Sequence, residues 1–432
     1  MVISEGSFLP WQRPNATEAY AAEKLTRQTI SLHGSYLAFP WASWIDIARD
    51  NPALQVPLAT APSAQPVATV AQHIEMLQHA ALLRRCGITD LFWSHATSRF
   101  SYQQGMRIHP FPLYPVRCAS HPTPAGLPSP VGLSLAERRW LYSFQGVYRP
   151  ELYLTPVRQW ILELQSRPDA LLESRSEWHF EQAVYREQVH GQGADIARHG
   201  ELAHEASSYA RTLQQSVFAL CPSGSGPNSI RLWEALGYGT IPVILADSLA
   251  LPGDPALWHQ AALFVPETPA AVAGLPAQLE SLRADPSRLQ AMQAAGRLLW
   301  QRYGLPDFTA DVRGFLADPD GFLLAAARQR LSSVLGQGHL EHQATSPAAL
   351  PIELRRLLRH AAPEQPLLLQ IVDPSPLPLL EARWRSALQL CQALLGGRPW
   401  GISCRSPLLE LLAAQRFATS TNTIGSSSPL TP

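Results

Sequence analysis

A tight turn of small residues, Ser223-Gly224-Ser225-Gly226-Pro227-Asn228, stands between two apolar runs and could hold an anion. The run before it, Val217 to Leu220, ends at Cys221-Pro222 and reads as a strand. Ser229 to Leu236 has helical spacing closed by Gly237 and Gly239, and Ile241 to Leu245 is a second, β-branched strand. A strand that feeds such a turn into a helix start leaves backbone N–H groups unpaired. It also aims the positive end of the helix dipole at the turn, which favours phosphate. Arg231, Glu234 and Tyr238 fall at i, i+3 and i+7 and share one face, while Leu232, Ala235, Leu236 and Gly239 form another, fit to pack on a sheet. A cation and a carboxylate beside a phosphate turn suit a nucleoside diphosphate, the cation for phosphate and the carboxylate for ribose hydroxyls. On an ordinary surface helix the same two charges would be an ion pair worth about 0.3 kcal/mol.

The stretch from Ser216 to Asp247, SxFxLxPxGxGPNSxRLWEALxxGxIPVIxxD, resembles the signature of the exostosin-family glycosyltransferases. Two earlier stretches resemble the same family: Arg139 to Gly146 with Val157-Arg158 downstream, and Trp178-His179-Phe180-Glu181 with Val184-Tyr185. The resemblance runs from Arg139 to Glu267. It implies the GT-B architecture, two Rossmann-like doubly wound domains facing a cleft, and transfer of a sugar from a nucleotide-sugar, usually a UDP-sugar, to a saccharide hydroxyl with inversion. The setting would be polysaccharide or glycoconjugate synthesis. Such a reaction needs a neutralised diphosphate leaving group, a base for the acceptor proton, and the two substrates held in line. For the diphosphate the expectation is the amides around Ser223, Gly224, Asn228 and Ser229, beside the Gly146 loop, with Arg158 and Arg231 as cations. Asn228 or Ser229 could instead be only an N-cap, and Gly146 only a turn. For the ribose it is Glu234. Many other GT-B families carry a second glutamate eight residues earlier; Gly226 stands there, so a two-glutamate clamp is absent and retaining chemistry of that type is disfavoured.

The base should come from the N-terminal domain. His95 follows the expected strand Asp90 to Ser94, and its ordinary pKa suits the task. Asp46, after a Pro40-Trp41 turn, is the second candidate. Either could equally be a cap or a structural hydrogen-bond partner. The aromatics of Trp178 to Glu181 could line a sugar site or fill the core. Asp318-Pro319-Asp320 has the D-x-D form that holds a divalent metal in GT-A enzymes, but its place after a helix end reads as a turn. A metal-independent mechanism with no cofactor beyond the donor is expected. Two other uses of the same cleft stay open, a nucleotide-binding protein without catalysis and a nucleotide-sugar epimerase.

These residues need two α/β units to position them, and 432 residues allow two to three domains. An N-terminal domain over 1–130 starts with a loosely packed lead-in to residue 30 that contains one short helix. A strand Tyr36 to Phe39 follows, then a helix opened by Pro40, an amphipathic helix within Pro66 to Arg85 bearing Val70, Ile74, Leu77 and Ala81 on one side, the strand at Asp90, and an extended piece Ile108 to Tyr114. Ser120 to Pro130 is a proline- and glycine-rich connector. The βα alternation restarts in a domain over 131–325: strand Trp140 to Phe144, helix Pro156 to Leu164, extended Glu177 to Val184, helix Ala203 to Gln215, strand Leu263 to Val265, and helices from Pro269, Ser287 and Phe308. An extension over 326–432 holds a linker from Gln337 to Pro351, strands at Pro366 to Val372 and from Gly401, a helix Leu379 to Leu395, and a low-complexity tail from Thr419.

The formal net charge is zero, so no basic field points to nucleic acid or an acidic membrane. Lys24 is the one lysine; this arginine bias suggests a high-GC, bacterial coding sequence. Five scattered cysteines, Cys86, Cys118, Cys221, Cys391 and Cys404, show no zinc spacing and fit a reduced cytosol. Animal and plant members of the family are usually anchored in the Golgi membrane. The start of this chain has no signal-like pattern and the sequence has no run of about 18 apolar residues, so a cytoplasmic enzyme with possible peripheral membrane association is expected.

Overall fold

The computed structural model describes residues 2–3, 9–26, 34–48, 56, 58–59, 63–98, 101–120, 134–175, 181–191, 196–335, 339–362, 365–396 and 398–412. The expectations for 121–130, for Trp178-His179-Phe180 and for the tail from Thr419 lie outside these residues. Among them, three sheets form. The first runs in the order β1 (Val2–Ile3), β2 (Ser35–Leu37), β3 (Val67–Ala71), β4 (Asp90–Trp93), β6 (Met106–Pro110), β5 (Tyr102–Gln103); all its pairs are parallel except β5 with β6. The second contains β7 (Trp140–Gly146), β8 (Ala170–Ser174), β9 (Ser216–Pro222), β10 (Ile241–Leu245) and β11 (Leu263–Phe264), all parallel, in the order β11-β10-β9-β7-β8. These are the two Rossmann-like units expected of the chain. The second reverses its strand order between β7 and β9, where a doubly wound sheet opens a crevice at its strand C-termini.

The third sheet, β12 (Leu340–Ala344), β13 (Leu367–Ile371) and β14 (Trp400–Ser403), is also parallel; it shares a core with helices Leu350–Leu358 and Leu377–Leu395, and helix Pro319–Leu335 packs on β13 and β14. It docks on the first sheet through buried charge. Arg107 on β6 pairs with Asp90 on β4 at 2.8 Å and donates to the carbonyls of Cys404 (3.2 Å) and Arg405 (2.7 Å). Tyr102 donates to Glu410, whose other oxygen accepts the Cys404 amide.

The chain returns to its first unit after building the second. Phe308, Phe315 on helix Ala310–Ala317 and Phe322 on helix Pro319–Leu335 pack against Phe92 and Phe111 of the first sheet, with Phe92 and Phe315 centroids 5.7 Å apart. The sheet therefore gains a face from residues far along the sequence. Among the described residues no helix is long and apolar enough to cross a membrane.

Several sequence expectations are corrected. Val67 to Ala71 is a strand rather than the start of an amphipathic helix; its small and β-branched residues are all buried, as both faces of a central parallel strand require. Helix remains only at Ala80–Arg85 after a tight turn at Met76–His79, and Ile74 is exposed. Residues 181–184 belong to the helical segment Glu181–Val189, not to an extended piece. The linker expected from Gln337 contains β12, whose alternating exposure marks it as a sheet edge and hid it as a polar stretch. Asp318-Pro319-Asp320 opens a helix, with Asp318 accepting the Gly321 amide at 2.9 Å. Helix Thr17–Thr26 in the lead-in is packed, with Ala21 and Leu25 in the core and Glu18 buried.

Candidate functional site at the strand C-termini of two sheets

The turn at 223–228 leaves β9 at the crevice beside β7, where the fold places a ligand. Helix Ile230–Gly237 follows it, and both of its sequence faces are inside the protein. Arg231 is 7% exposed and Glu234 2%, which rules out a solvent-exposed ion pair. The reason is location: one face packs on β9 and β10, the other meets the segment Val116–Ser120 arriving from the first unit.

Arg231 donates to the carbonyls of Gln145, at the end of β7, and Leu220, and lies 4.5 Å from the centroid of the Phe144 ring. Its Nε is buried without a partner among the described residues. Arg158 donates through Nε to the Ser223 carbonyl (2.8 Å) and through Nη1 to Val147 (3.0 Å). It stacks on Tyr153, and burial pushes its pKa down to about 10. A methyl group at Gly224 would come within 2.9 Å of Arg158 Nη2, and one at Gly146 within 3.3 Å of Arg231 Nη2. The two guanidinium groups thus lie against the glycines of both loops.

The expected amide donors divide. The Ser223 amide is bonded to Leu245 and that of Gly224 to Gly226 across the turn, both at 2.9 Å. Ser223 also donates its hydroxyl to Glu267, which in turn receives Thr155 and the Asp247 amide. Ser229 is the N-cap of the helix, in extended conformation and with no side-chain cap bond, so its hydroxyl is not tied to the helix start. Asn228 reaches across the domains. Its amide donates to the Ser94 carbonyl at 2.6 Å, and its side-chain oxygen accepts Trp233 Nε1 at 3.0 Å. Glu234 sits under the arriving segment, accepts the Arg117 amide at 2.9 Å and bonds Tyr209; burial raises its pKa.

On the opposite wall stand the strand C-termini of the first sheet. His95, two residues past β4, is 7% exposed. Its Nδ1 has no hydrogen-bond partner among the described residues, and the nearby Gln72 backbone favours the protonated ring, though less than burial opposes it. The ring is neutral, its pKa pushed down to about 3 by burial. A methyl group at Gly226 would clash with Nδ1, and would lie 2.8 Å from His95 Cε1 and 2.9 Å from Ile74 Cγ2. The contact is held by main-chain ties between the units: Thr97 pairs with Leu249, the Ser98 amide donates to Ser248, and the Ala250 amide donates to Ala96. Asp46 is spoken for on both oxygens, by Gln12 and by His73 Nε2 at 3.2 Å; His73 Nδ1 accepts the Glu75 amide.

His73 is the residue that sequence reasoning missed. It sits at the C-terminus of β3, beside His95 and Asp46, and reading 66–85 as a helix concealed that position. A strand assignment for Val67-Ala68-Thr69-Val70-Ala71 would have placed Gln72-His73 at the crevice.

The exostosin GT47 domain matches residues 90–275, a span that contains β4, His95, the 223–228 turn and Glu234. A probable glucuronosyltransferase of Oryza sativa subsp. japonica is 37% identical over 95 residues, 20% of this chain and 23% of that protein. A probable β-1,4-xylosyltransferase of Arabidopsis thaliana is 36% identical over 96 residues, with the same shares of 20% and 23%. The chain therefore spans less than a quarter of the curated relatives it matches. Among solved structures, the pneumococcal O-GlcNAc transferase in complex with UDP and GlcNAc aligns at 14% identity over 74% of this chain and 60% of that one, with a TM-score of 0.28, too loose to add to the topology above. The likeness to the exostosin GT47 domain thus spans residues 90–275, less than half of the chain, and takes in the last strands of the first unit and the whole second sheet.

Proposed function

We propose that the chain is a glycosyltransferase that moves a sugar from a nucleoside-diphosphate sugar, a UDP-sugar, to a saccharide hydroxyl with inversion and without a metal. The observation that carries this reading is His95. It is a buried, neutral imidazole whose unpartnered Nδ1 faces Gly226 of the glycine turn from the other unit.

In the step proposed, an acceptor hydroxyl oxygen forms a bond to the anomeric carbon while the bond from that carbon to the diphosphate oxygen breaks. The electron pair leaves with the diphosphate, and the hydroxyl proton passes to His95 Nδ1, which requires the Gly226 turn to draw back from the ring, because Nδ1 is buried against it. Arg158 and Arg231, which lie against the glycines of the two loops, are proposed to neutralise the leaving charge. A diphosphate arriving beside His95 adds negative charge that raises the proton affinity of the ring, offsetting its burial. Asp46 is the second candidate base; its ties to Gln12 and His73 suit it better to orienting His73. Glu234 is proposed for the ribose, which requires the Val116–Ser120 segment to yield the carboxylate from the Arg117 amide.

The test is calorimetric titration of UDP, other nucleotides and UDP-sugars, with EDTA and with Mn²⁺, on wild type, Glu234→Ala and His95→Asn. The reading expects UDP binding insensitive to EDTA, weakened in Glu234→Ala and retained in His95→Asn, with transfer lost in the latter. Nucleotide binding with neither transfer nor donor hydrolysis would leave a binding protein of the same shape, and no nucleotide binding would end the proposal.

A further inference from the structure

Glu18, on the first turn of helix Thr17–Thr26, is a buried carboxyl group that the transfer step does not use. Its two oxygens serve two different elements of the crevice wall. Oε1 accepts the Gln72 amide at 2.9 Å, in the loop that leaves β3 and carries His73. Oε2 accepts the Ala42 amide at 3.1 Å, in helix Trp41–Ser43, which runs on into the turns that carry Asp46. The Glu18 amide donates in return to Gln72 Oε1 at 3.2 Å, and Gln72 Nε2 donates to the Asn15 carbonyl at 3.0 Å. Gln72 is thus gripped through both its main chain and its side chain. The two elements that Glu18 joins meet again at the crevice, where His73 Nε2 lies 3.2 Å from Asp46 Oδ1. The loop also reaches the proposed base. The His73 carbonyl accepts Trp93 Nε1 at 2.8 Å, the Trp93 and His95 ring centroids are 6.3 Å apart, and the Gln72 backbone favours the protonated form of His95. An apolar side chain at position 18 would avoid burying a carboxyl group but would leave the Gln72 and Ala42 amides without acceptors.

We propose that Glu18 is a positioning residue for His95: it fixes the Gln72-His73 loop and the Asp46 helix in one register, so that the Gln72 backbone stays beside the imidazole during transfer. The inference rests on the glycosyltransferase reading above. In that reading His95 becomes a buried cation when it takes the acceptor proton, and such a charge needs fixed dipoles around it. Glu18 supplies no proton and touches no substrate; it acts through Gln72. Loss of its grip leaves nucleotide binding intact, because the 223–228 turn, Arg158 and Arg231 belong to the other unit.

The test compares wild type, Glu18→Gln, Gln72→Met and the double variant in UDP release from a panel of UDP-sugars, with UDP titrated calorimetrically in parallel. Glutamine at 18 keeps one acceptor oxygen and loses the other; methionine at 72 removes the side-chain half of the grip. Expected are a fall of about tenfold in kcat in each single variant, no further fall in the double variant, and unchanged KM and UDP affinity throughout. Hydrogen exchange should quicken at the Gln72 and Ala42 amides of Glu18→Gln. Should Glu18→Gln fail to fold, Gln72→Met carries the test alone. Undiminished kcat in a folded variant overturns the proposal, as do losses that multiply in the double variant or a parallel loss of UDP affinity. A wild type that binds UDP and releases none from the UDP-sugars overturns the transferase reading together with this inference. An active wild type with an equally active Glu18→Gln overturns this inference alone.

Discussion

The imidazole of His95 occupies the space that any side chain at position 226 would need. The pair spans the two α/β units: His95 follows a strand of the first sheet, and Gly226 belongs to the turn that leaves β9 of the second. The glycine is thus required by contact rather than by backbone conformation. The missing second glutamate noted in the sequence has a physical counterpart, since the place such a side chain would leave from is taken by a histidine from the other unit.

Gly226→Ala should therefore destabilise by about 1–3 kcal/mol through overpacking, and His95→Ala should recover part of that loss in the double variant. Urea denaturation of the two single variants and the double variant gives the coupling energy. Simple additivity would mean the two residues do not touch in solution.

Asn228→Ala removes the bond to Ser94 and leaves Trp233 Nε1 buried without its acceptor. A loss of about 1–3 kcal/mol is expected, measured by chemical denaturation. Asn228→Asp keeps the acceptor for Trp233 but cannot donate to Ser94, so it should weaken the link between the units more than the helix itself. Hydrogen exchange at Ala96 and Ala250, whose amides lie at or beside that junction, would separate the two effects.

Arg107→Met should cost about 3–5 kcal/mol, because it strands the buried carboxylates of Asp90 and Glu410. The loss should fall first on the docking of the third sheet. Limited proteolysis is expected to cut between β6 and β14 elements in the variant under conditions in which wild type resists, and an unchanged digestion pattern would contradict the docking role.

Stability should fall as pH rises from about 6.5 to 8, and Glu18 is the expected cause. Burial raises its pKa from 4.5 to about 8. The folded state then holds a proton that the unfolded chain has released, so this contribution is complete below the unfolded value and is lost as pH climbs through 8. His95 acts in the opposite sense: its folded pKa lies near 3, so its contribution is complete above the unfolded value near 6.5 and is lost as pH falls. Above 6.5 the Glu18 effect stands clear of it. Thermal unfolding across this window should show a smaller decline in Glu18→Gln than in wild type.

The second unit was largely legible from sequence, and so was most of the first, where the strands at Tyr36 and Asp90 and the helix after Pro40 form as expected and only the stretch from Val67 to Arg85 does not. Ile241 to Leu245 is continuous, β-branched and bounded by turn residues, and the structure gives a strand with the same limits. The turn at 223–228 is set by local chemistry of glycine, proline and asparagine, which a sequence displays. Val67 to Ala71 defeats the same approach because a short buried run fits either period, and only its neighbours β2 and β4 make it a strand. At the site, residue types could be read but partners could not. Nothing local to Asn228 announces Ser94, and nothing local to Arg107 announces Cys404 or Glu410, because those contacts exist only after separate units meet.

The return of Phe308, Phe315 and Phe322 to the first sheet also sets the order in which this protein can be finished during synthesis. As the chain leaves the ribosome, the first sheet emerges early with Phe92 and Phe111 uncovered, and the second unit can assemble before the helices that cover them exist. The earliest part of the molecule is therefore the last to complete its core. A nascent chain halted before residue 308 would present an aromatic face to solvent, a surface that chaperones bind and that unprotected chains use to aggregate.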